Sequence, residues 1–239
     1  MGRFANLGRA LAFALAMSPA AASAREPGFV PPDQSEASLI LPDPPTEGSP
    51  TQQAELAVLH AIEAQRTPQQ AEAARADSEV RNVFLFKPVF GEAFTPANLP
   101  LTAALTERVI ADAGINAGAV KHTFNRKRPY AADPTLHPAC ATTPKENSYP
   151  SSHSASGWLL GLTLVEMVPE QREAVLARAA DYAHNRMVCG AHYPSDVEAG
   201  RALAYEVHGV MMQNPAYRAE LAAARAELRK ALNLPETAQ

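Results

Sequence analysis

Three stretches of the chain collect side chains suited to holding or attacking an anion. The first, Lys121-His-Thr-Phe-Asn-Arg-Lys-Arg128-Pro129, sets an ammonium and a guanidinium seven positions apart. Seven residues fall about 20° short of two helical turns, so Lys121 and Arg128 are expected on one helix face, with Pro129 ending that helix. Arginine offers phosphate a planar two-pronged fork, and lysine a point charge. A basic cluster by itself is more often a solvated turn, and Arg126 and Lys127 are expected to face solvent.

The second stretch, Ser148-Tyr-Pro-Ser151-Ser152-His153, stands directly ahead of an apolar run. Serines there are ordinary helix caps. A helix start also aims free backbone N–H groups and a positive dipole end at one point, where an anion can sit. The third stretch, Asn185-Arg186-Met-Val-Cys-Gly-Ala-His192-Tyr-Pro-Ser-Asp196, reads as a helix end at Gly190 and a helix start at Pro194. His192 then lies in a tight link, with Asp196 in the first turn after it. A carboxylate so placed can fix one imidazole nitrogen and leave the other as a lone-pair nucleophile. Taken singly, each stretch has a bland reading as a basic turn, a capped helix or a loop histidine.

The elements that must bring these stretches together are helices. Apolar residues recur at helical spacing over 52–65 (Leu56, Leu59, Ile62) and 99–114 (Leu101, Leu105, Val109, Ile110). Residues 155–168 are apolar almost all round, as a central buried helix would be, and 170–188, 194–212 and 215–232 complete the pattern. No stretch alternates like a half-buried strand. The expected fold is all-α, a single-domain bundle over 51–239 of about seven to nine helices. Ahead of it, residues 25–50 carry seven prolines and are expected to form an extended arm, laid on the surface or left mobile.

Residues 1–24 combine Arg3 and Arg9, the apolar run Ala10 to Met17, and Ala22-Ser23-Ala24, the parts of a secretory signal peptide cleaved after Ala24. That run is far shorter than the ~20 residues a membrane span needs. The expectation is an exported protein, periplasmic or secreted, with no membrane partner. In an oxidising compartment Cys140 and Cys189 are expected to bridge, and two buried free thiols are the alternative.

Composition removes other classes. The net charge of −4 lacks the basic excess of a nucleic-acid binder, and 6% aromatic residues with Trp158 as the only tryptophan advertise no stacking platform. Two cysteines cannot make a four-cysteine zinc site, and no H-x-x-x-H or H-x-H pair occurs among the seven histidines, so a zinc site is not expected and no cofactor motif is read.

In combination, the spacing K-x6-R-P, then P-S-x-H, then R-x5-H-x3-D resembles the acid phosphatase and vanadium haloperoxidase superfamily, and within it the bacterial class A non-specific acid phosphatases. The stretch from Val188 to Arg201, the Asn214-Pro-Ala-Tyr217 tail and the Leu41-Pro-Asp-Pro-Pro45 arm carry the likeness across most of the chain. The resemblance implies an all-α enzyme that hydrolyses phosphate monoesters without a metal. In it His192 matches the nucleophile that forms a phosphohistidine, Asp196 the acid that orients it, and His153 the general acid for the leaving alkoxide. Lys121, Arg128, Ser151, the backbone at Ser152, and Arg186 match the phosphate-binding set. Nucleotides, sugar phosphates and aryl phosphates are the implied substrates, inorganic phosphate and vanadate the implied inhibitors. Transfer to an added alcohol is an implied side activity, and a homo-oligomer the implied assembly.

Two guanidiniums and one ammonium offset the roughly −1.5 to −2 charge of a phosphate monoester. A neutral His192 and a protonated His153 together predict a bell-shaped pH profile with an acid optimum. Two positions depart from the family pattern: Ser152 stands where glycine is usual, and Asn185 where serine is usual, which puts efficiency rather than reaction class in question. Competing readings are a vanadate-dependent haloperoxidase, a lipid phosphatase and a non-catalytic phosphate binder.

Overall fold

The computed structural model describes residues 1–2, 28–142 and 146–235. The expected signal peptide from residue 3 onward, and the first residues of the expected arm, lie outside the described residues. Among those described there is no strand, and seven helices have twelve or more residues: α1 (Pro50–Gln65), α2 (Pro68–Glu79), α3 (Pro100–Phe124), α4 (Ser152–Met167), α5 (Arg172–Val188), α6 (Pro194–Met211) and α7 (Pro215–Ala231). Five of them open on proline, whose missing N–H costs nothing at a first turn. Side-chain oxygens of Ser49, Thr67, Ser151 and Asn214 cap their helix starts.

Helix α4 is the axis. It packs against α3, α5, α6 and α7, and Leu159, Leu160 and Leu164 are fully buried in the core. Its N-terminus meets α6 at Gly200, where a Cβ would lie 2.5 Å from the Ser151 carbonyl oxygen and 3.1 Å from the Ala155 nitrogen. Any side chain at 200 would push the two helices apart at the point that carries Ser151 to His153.

Three sequence expectations change. Helix α3 runs ten residues beyond the expected end, to Phe124, and brings Lys121 into its last turn. Lys121 and Arg128 therefore do not share a helix face. Asn125 takes a left-handed conformation (φ 43°) and ends α3, and Pro129 holds Arg128 extended (φ −66°, ψ 152°) ahead of the short turn Pro129–Ala132. Helix α2, opened by a Thr67–Gln70 capping box, lacks a strong apolar stripe and has no counterpart in the periodicity reading.

The arm is neither loose nor wholly extended. It forms two four-residue helical turns, Pro32–Ser35 and Ala37–Ile40, and buries Phe29 and Val30 in the core. Asp112 of α3 accepts both of their backbone N–H groups at 2.8 and 3.2 Å, and Asn116 donates to the Val30 carbonyl at 2.9 Å. Further along, the Tyr149 hydroxyl donates to the Pro42 carbonyl at 2.6 Å, which ties the arm to the loop ahead of α4.

Cys140 and Cys189 form a disulfide across a sequence separation of 49. Among the described residues no helix is long and apolar enough to cross a membrane.

Candidate active site

The α5–α6 link supplies the centre. Gly190 (φ 69°) ends α5, and the Ala191 N–H bonds back to the Arg186 carbonyl at 3.0 Å. His192 is thereby turned inward and fully buried. Its Nδ1 lies 3.3 Å from Oδ2 of Asp196, and its Nε2 lies 2.7 Å from Nη1 of Arg128. A guanidinium can only donate, so Nε2 accepts and carries a lone pair, and the ring proton is on Nδ1 facing the carboxylate. The tautomer is fixed from both sides.

Asp196 is saturated as an acceptor. Oδ2 also takes the Ser148 hydroxyl at 2.5 Å and the Tyr193 N–H at 2.9 Å, while Oδ1 takes Arg126 at 2.6 Å. Burial and the surrounding charges of Arg128, Lys121, Arg186 and His153 hold the His192 pKa well below the ordinary imidazole value, so the ring is neutral.

Around it stand three buried or half-buried cations: Lys121, Arg128 and Arg186. None has a carboxylate in ion-pair range among the described residues. Lys121 donates to the backbone carbonyls of Asn147 (2.7 Å) and Pro150 (2.6 Å), and Arg128 to the Ala191 carbonyl and the Asn147 side chain, both at 2.9 Å. Among the described residues Arg186 donates to the disulfide sulfur of Cys189 at 3.6 Å and to no other side chain, and its Nε is buried without a partner there. Elsewhere in the interior, Arg126, Arg178 and Arg229 each meet a carboxylate. The unbalanced charge is felt in the titrations: burial, then Arg128, pull the Lys121 ammonium down to about 7, and burial lowers the Arg186 guanidinium to about 10. Buried cations without counterions are costly, and an anion bound among them would remove that cost.

Ser151 caps α4: its hydroxyl accepts the Ser154 N–H at 3.3 Å, and its own N–H donates to the Asp196 carbonyl at 2.9 Å. Ser152 opens the helix without a left-handed backbone, so serine meets no conformational penalty at this position. His153 follows, with Nε2 at 3.2 Å from the Ser78 carbonyl. A carbonyl only accepts, so that nitrogen carries hydrogen and the titrating position is Nδ1. Burial, with Arg186, Arg81 and Arg128, pushes the His153 pKa down to about 2. Burial and these three cations favour the neutral ring, so a proton on His153 depends on negative charge arriving beside it. Ser152 and His153 line a cavity of about 360 Å³ together with Arg81, Ile110, Ile115 and Tyr182.

Arg126 corrects the sequence reading most sharply. Expected to face solvent, it is buried, stacked on the Tyr193 ring at 3.9 Å, and held between Asp196 and Glu55, the latter at 2.7 Å. Glu55 in turn accepts the Ser195 N–H at 2.7 Å. Pro129 holds Arg128 extended, and in an extended chain residues two apart share a side. Arg126 and Arg128 both point in, while Lys127 between them is exposed and pairs with Glu47 at 2.8 Å. Asn185 donates to buried Asp77 at 2.8 Å and so joins α5 to α2 beside Arg186. Glu55, Ser148 and Arg81 carry no motif that spacing alone would single out.

Residues 101–220 match the PAP2 superfamily. The non-specific acid phosphatase of Salmonella typhimurium is 32% identical over 87% of this chain and 86% of its own length. The acid phosphatase of Zymomonas mobilis is 31% identical over 82% of this chain and 77% of its own. A transmembrane PAP2 type phosphatidylglycerolphosphate phosphatase from Bacillus subtilis has the same fold, with a TM-score of 0.50 and 18% identity over 74% of this chain and 89% of that one.

Proposed function

The chain belongs to the PAP2 superfamily and is an acid phosphatase, and from that premise we infer that it hydrolyses small phosphate monoesters through a phosphohistidine at His192. The observation that carries the reading is the set of three cations, Lys121, Arg128 and Arg186, without an ion-paired carboxylate among the described residues, around a buried neutral imidazole whose lone pair meets Arg128.

The steps follow from those groups. The ester phosphate displaces Arg128 from Nε2 and takes the three cations on its non-bridging oxygens, where they offset the charge of the transition state. The Nε2 lone pair attacks phosphorus, the P–O ester bond breaks, and its electrons leave on the alcohol oxygen. A proton on Nδ1 of His153 goes to that oxygen. Asp196 takes the growing positive charge of the His192 ring through the Nδ1 hydrogen bond. Water then attacks phosphorus, His153 accepts the water proton, the P–N bond breaks, and phosphate leaves. An alcohol in place of that water gives phosphotransfer by the same route.

The phosphate charge also acts on His153. It opposes Arg186, Arg81 and Arg128, which raises the His153 pKa. Below about pH 6 the ester itself arrives carrying a proton. Both effects favour turnover on the acid side.

Three cations do the charge neutralisation that a divalent metal performs in other phosphatases, so the reading is metal-independent. It also includes export to the periplasm or beyond after removal of residues 1–24, broad specificity among nucleotides, sugar phosphates and aryl phosphates, and competitive inhibition by phosphate and vanadate. Hydrolysis of p-nitrophenyl phosphate, with and without EDTA, tests it together with acid-quench trapping of phosphate on the protein. Expected are EDTA-insensitive turnover and an acid-labile phosphoryl group that disappears in His192→Ala. Turnover that survives in His192→Ala, or that EDTA abolishes, would overturn the mechanism.

A further inference from the structure

Arg81 belongs neither to the phosphate-binding cations nor to any ion pair. It is exposed in the segment between α2 and the turn Val83–Phe86, and among the described residues it meets no carboxylate and donates no hydrogen bond. Nevertheless it is not remote from the chemistry. Its guanidinium lines the cavity of about 360 Å³ whose wall includes Ser152 and His153, and its charge reaches His153, Arg128 and Arg186. The same side chain, with Ile110, also lines a neighbouring cavity of about 250 Å³. Arg81 thus stands where two hollows meet, on the His153 side of the centre.

The position of His153 tells which part of a substrate fills that cavity. If His153 protonates the leaving oxygen, the alcohol half of the ester extends past it, into the space lined by Ile110, Ile115, Tyr182 and Arg81. The walls are mostly apolar and neutral, and Arg81 is the cation among the lining residues. A guanidinium without an internal partner offers its fork to an anionic group.

We propose that Arg81 forms a leaving-group subsite that selects phosphate monoesters whose alcohol half carries a second anionic group, a further phosphate or a carboxylate. The inference rests on the phosphatase reading of the site and adds the substrate class to it. Arg81 would touch the substrate without touching the transferred phosphoryl group, so it governs which ester binds rather than how the bond breaks.

Matched pairs of esters test this. Glucose 1,6-bisphosphate against glucose 6-phosphate probes a second phosphate, and 3-phosphoglycerate against glycerol 3-phosphate probes a carboxylate. In the unaltered enzyme kcat/KM for the doubly charged member should exceed that of its partner by about tenfold in at least one pair, mainly through KM. In Arg81→Ala that ratio should fall to near one, and Arg81→Lys, which keeps the charge but not the fork, should retain part of it. An exposed side chain without internal partners can be removed without unfolding the protein, so the ratio is readable. A ratio that is the same in Arg81→Ala and the unaltered enzyme, with both esters of a pair hydrolysed, would overturn the subsite and leave the phosphatase reading standing. Failure of the unaltered enzyme to hydrolyse any of the four would overturn both.

Discussion

The guanidinium of Arg126 donates to Oδ1 of Asp196 at 2.6 Å, and both side chains are buried. Asp196 fixes the His192 tautomer through its other oxygen, so Arg126 acts on the nucleophile at one remove. Glu55 holds the far side of the guanidinium, giving a chain Glu55–Arg126–Asp196–His192. Arg126→Ala would leave two buried carboxylates uncompensated, and removing one partner of a buried pair costs about 3–5 kcal/mol. The variant should unfold at markedly lower urea. In the folded fraction kcat should drop about 100-fold or more while KM moves little, because substrate contacts are intact and ring orientation is not. Arg126 also donates to the Ser195 hydroxyl at 2.7 Å, so Arg126→Lys should recover stability better than kcat, since an ammonium cannot span Asp196, Ser195 and Glu55 together. Equal effects on KM and kcat would argue against a positioning role.

The pH profile should be governed at its basic end by Lys121. Burial is the main reason its ammonium is pulled down to about 7, with Arg128 adding to it and Asp196 opposing. A depressed lysine is charged below its folded pKa and neutral above it, so attraction for phosphate is present below about 7 and lost as pH rises through it. In kcat/KM, a decline beginning near the ester's own ionisation at about 6 should steepen above 7. Lys121→Gln should lower kcat/KM across the acid range and remove the steepening. Lys121→Arg should keep the charge to higher pH and extend activity there. A steep basic limb that persists in Lys121→Gln would assign it to another group.

How much of this was legible in the sequence depends on whether distance along the chain matched distance in space. The His192–Asp196 pair sits within one helix start, and Gly190 and Pro194 announce that start, so local rules sufficed. The apolar run of α4 likewise declared its burial. Arg126 was misread because a charged side chain usually faces water, and its partners Glu55 and Asp196 lie 71 and 70 residues away. Helix α3 runs past 114 because its glycines Gly114 and Gly118 are tolerated inside the helix, which apolar spacing alone does not reveal. The anchorage of the arm depends on Asp112 and Asn116, two polar residues buried mid-helix whose purpose is visible only once the arm is folded against them.

Ser152 is the departure from the family pattern nearest the chemistry. Its backbone has no positive φ, and it lines the cavity of about 360 Å³. Replacing it with glycine should therefore leave kcat/KM for p-nitrophenyl phosphate within about threefold. Stability should fall slightly, by roughly 0.5–1 kcal/mol, from the greater freedom of glycine at a helix position. A rise of tenfold or more would show that the Ser152 side chain crowds the bound phosphate.

The disulfide should matter to stability more than to turnover. Cys140 and Cys189 close a loop of 49 residues, and in the chain-entropy account such a cross-link stabilises by about 3–4.7 kcal/mol. Cys189 caps α5 three residues before His192, so the bridge is one of the ties on the link. Other contacts hold that link independently: Gly190 N–H on the Met187 carbonyl at 2.8 Å, Ala191 N–H on the Arg186 carbonyl at 3.0 Å, and Arg66 on the Val188 and His137 carbonyls at 3.0 and 2.7 Å. Alanine at both cysteines should therefore lower the urea midpoint by the full cross-link contribution, while kcat at 25 °C stays within about threefold. The unaltered protein in reductant should match that variant. A collapse of kcat under conditions where circular dichroism shows intact helices would mean that the bridge itself positions His192.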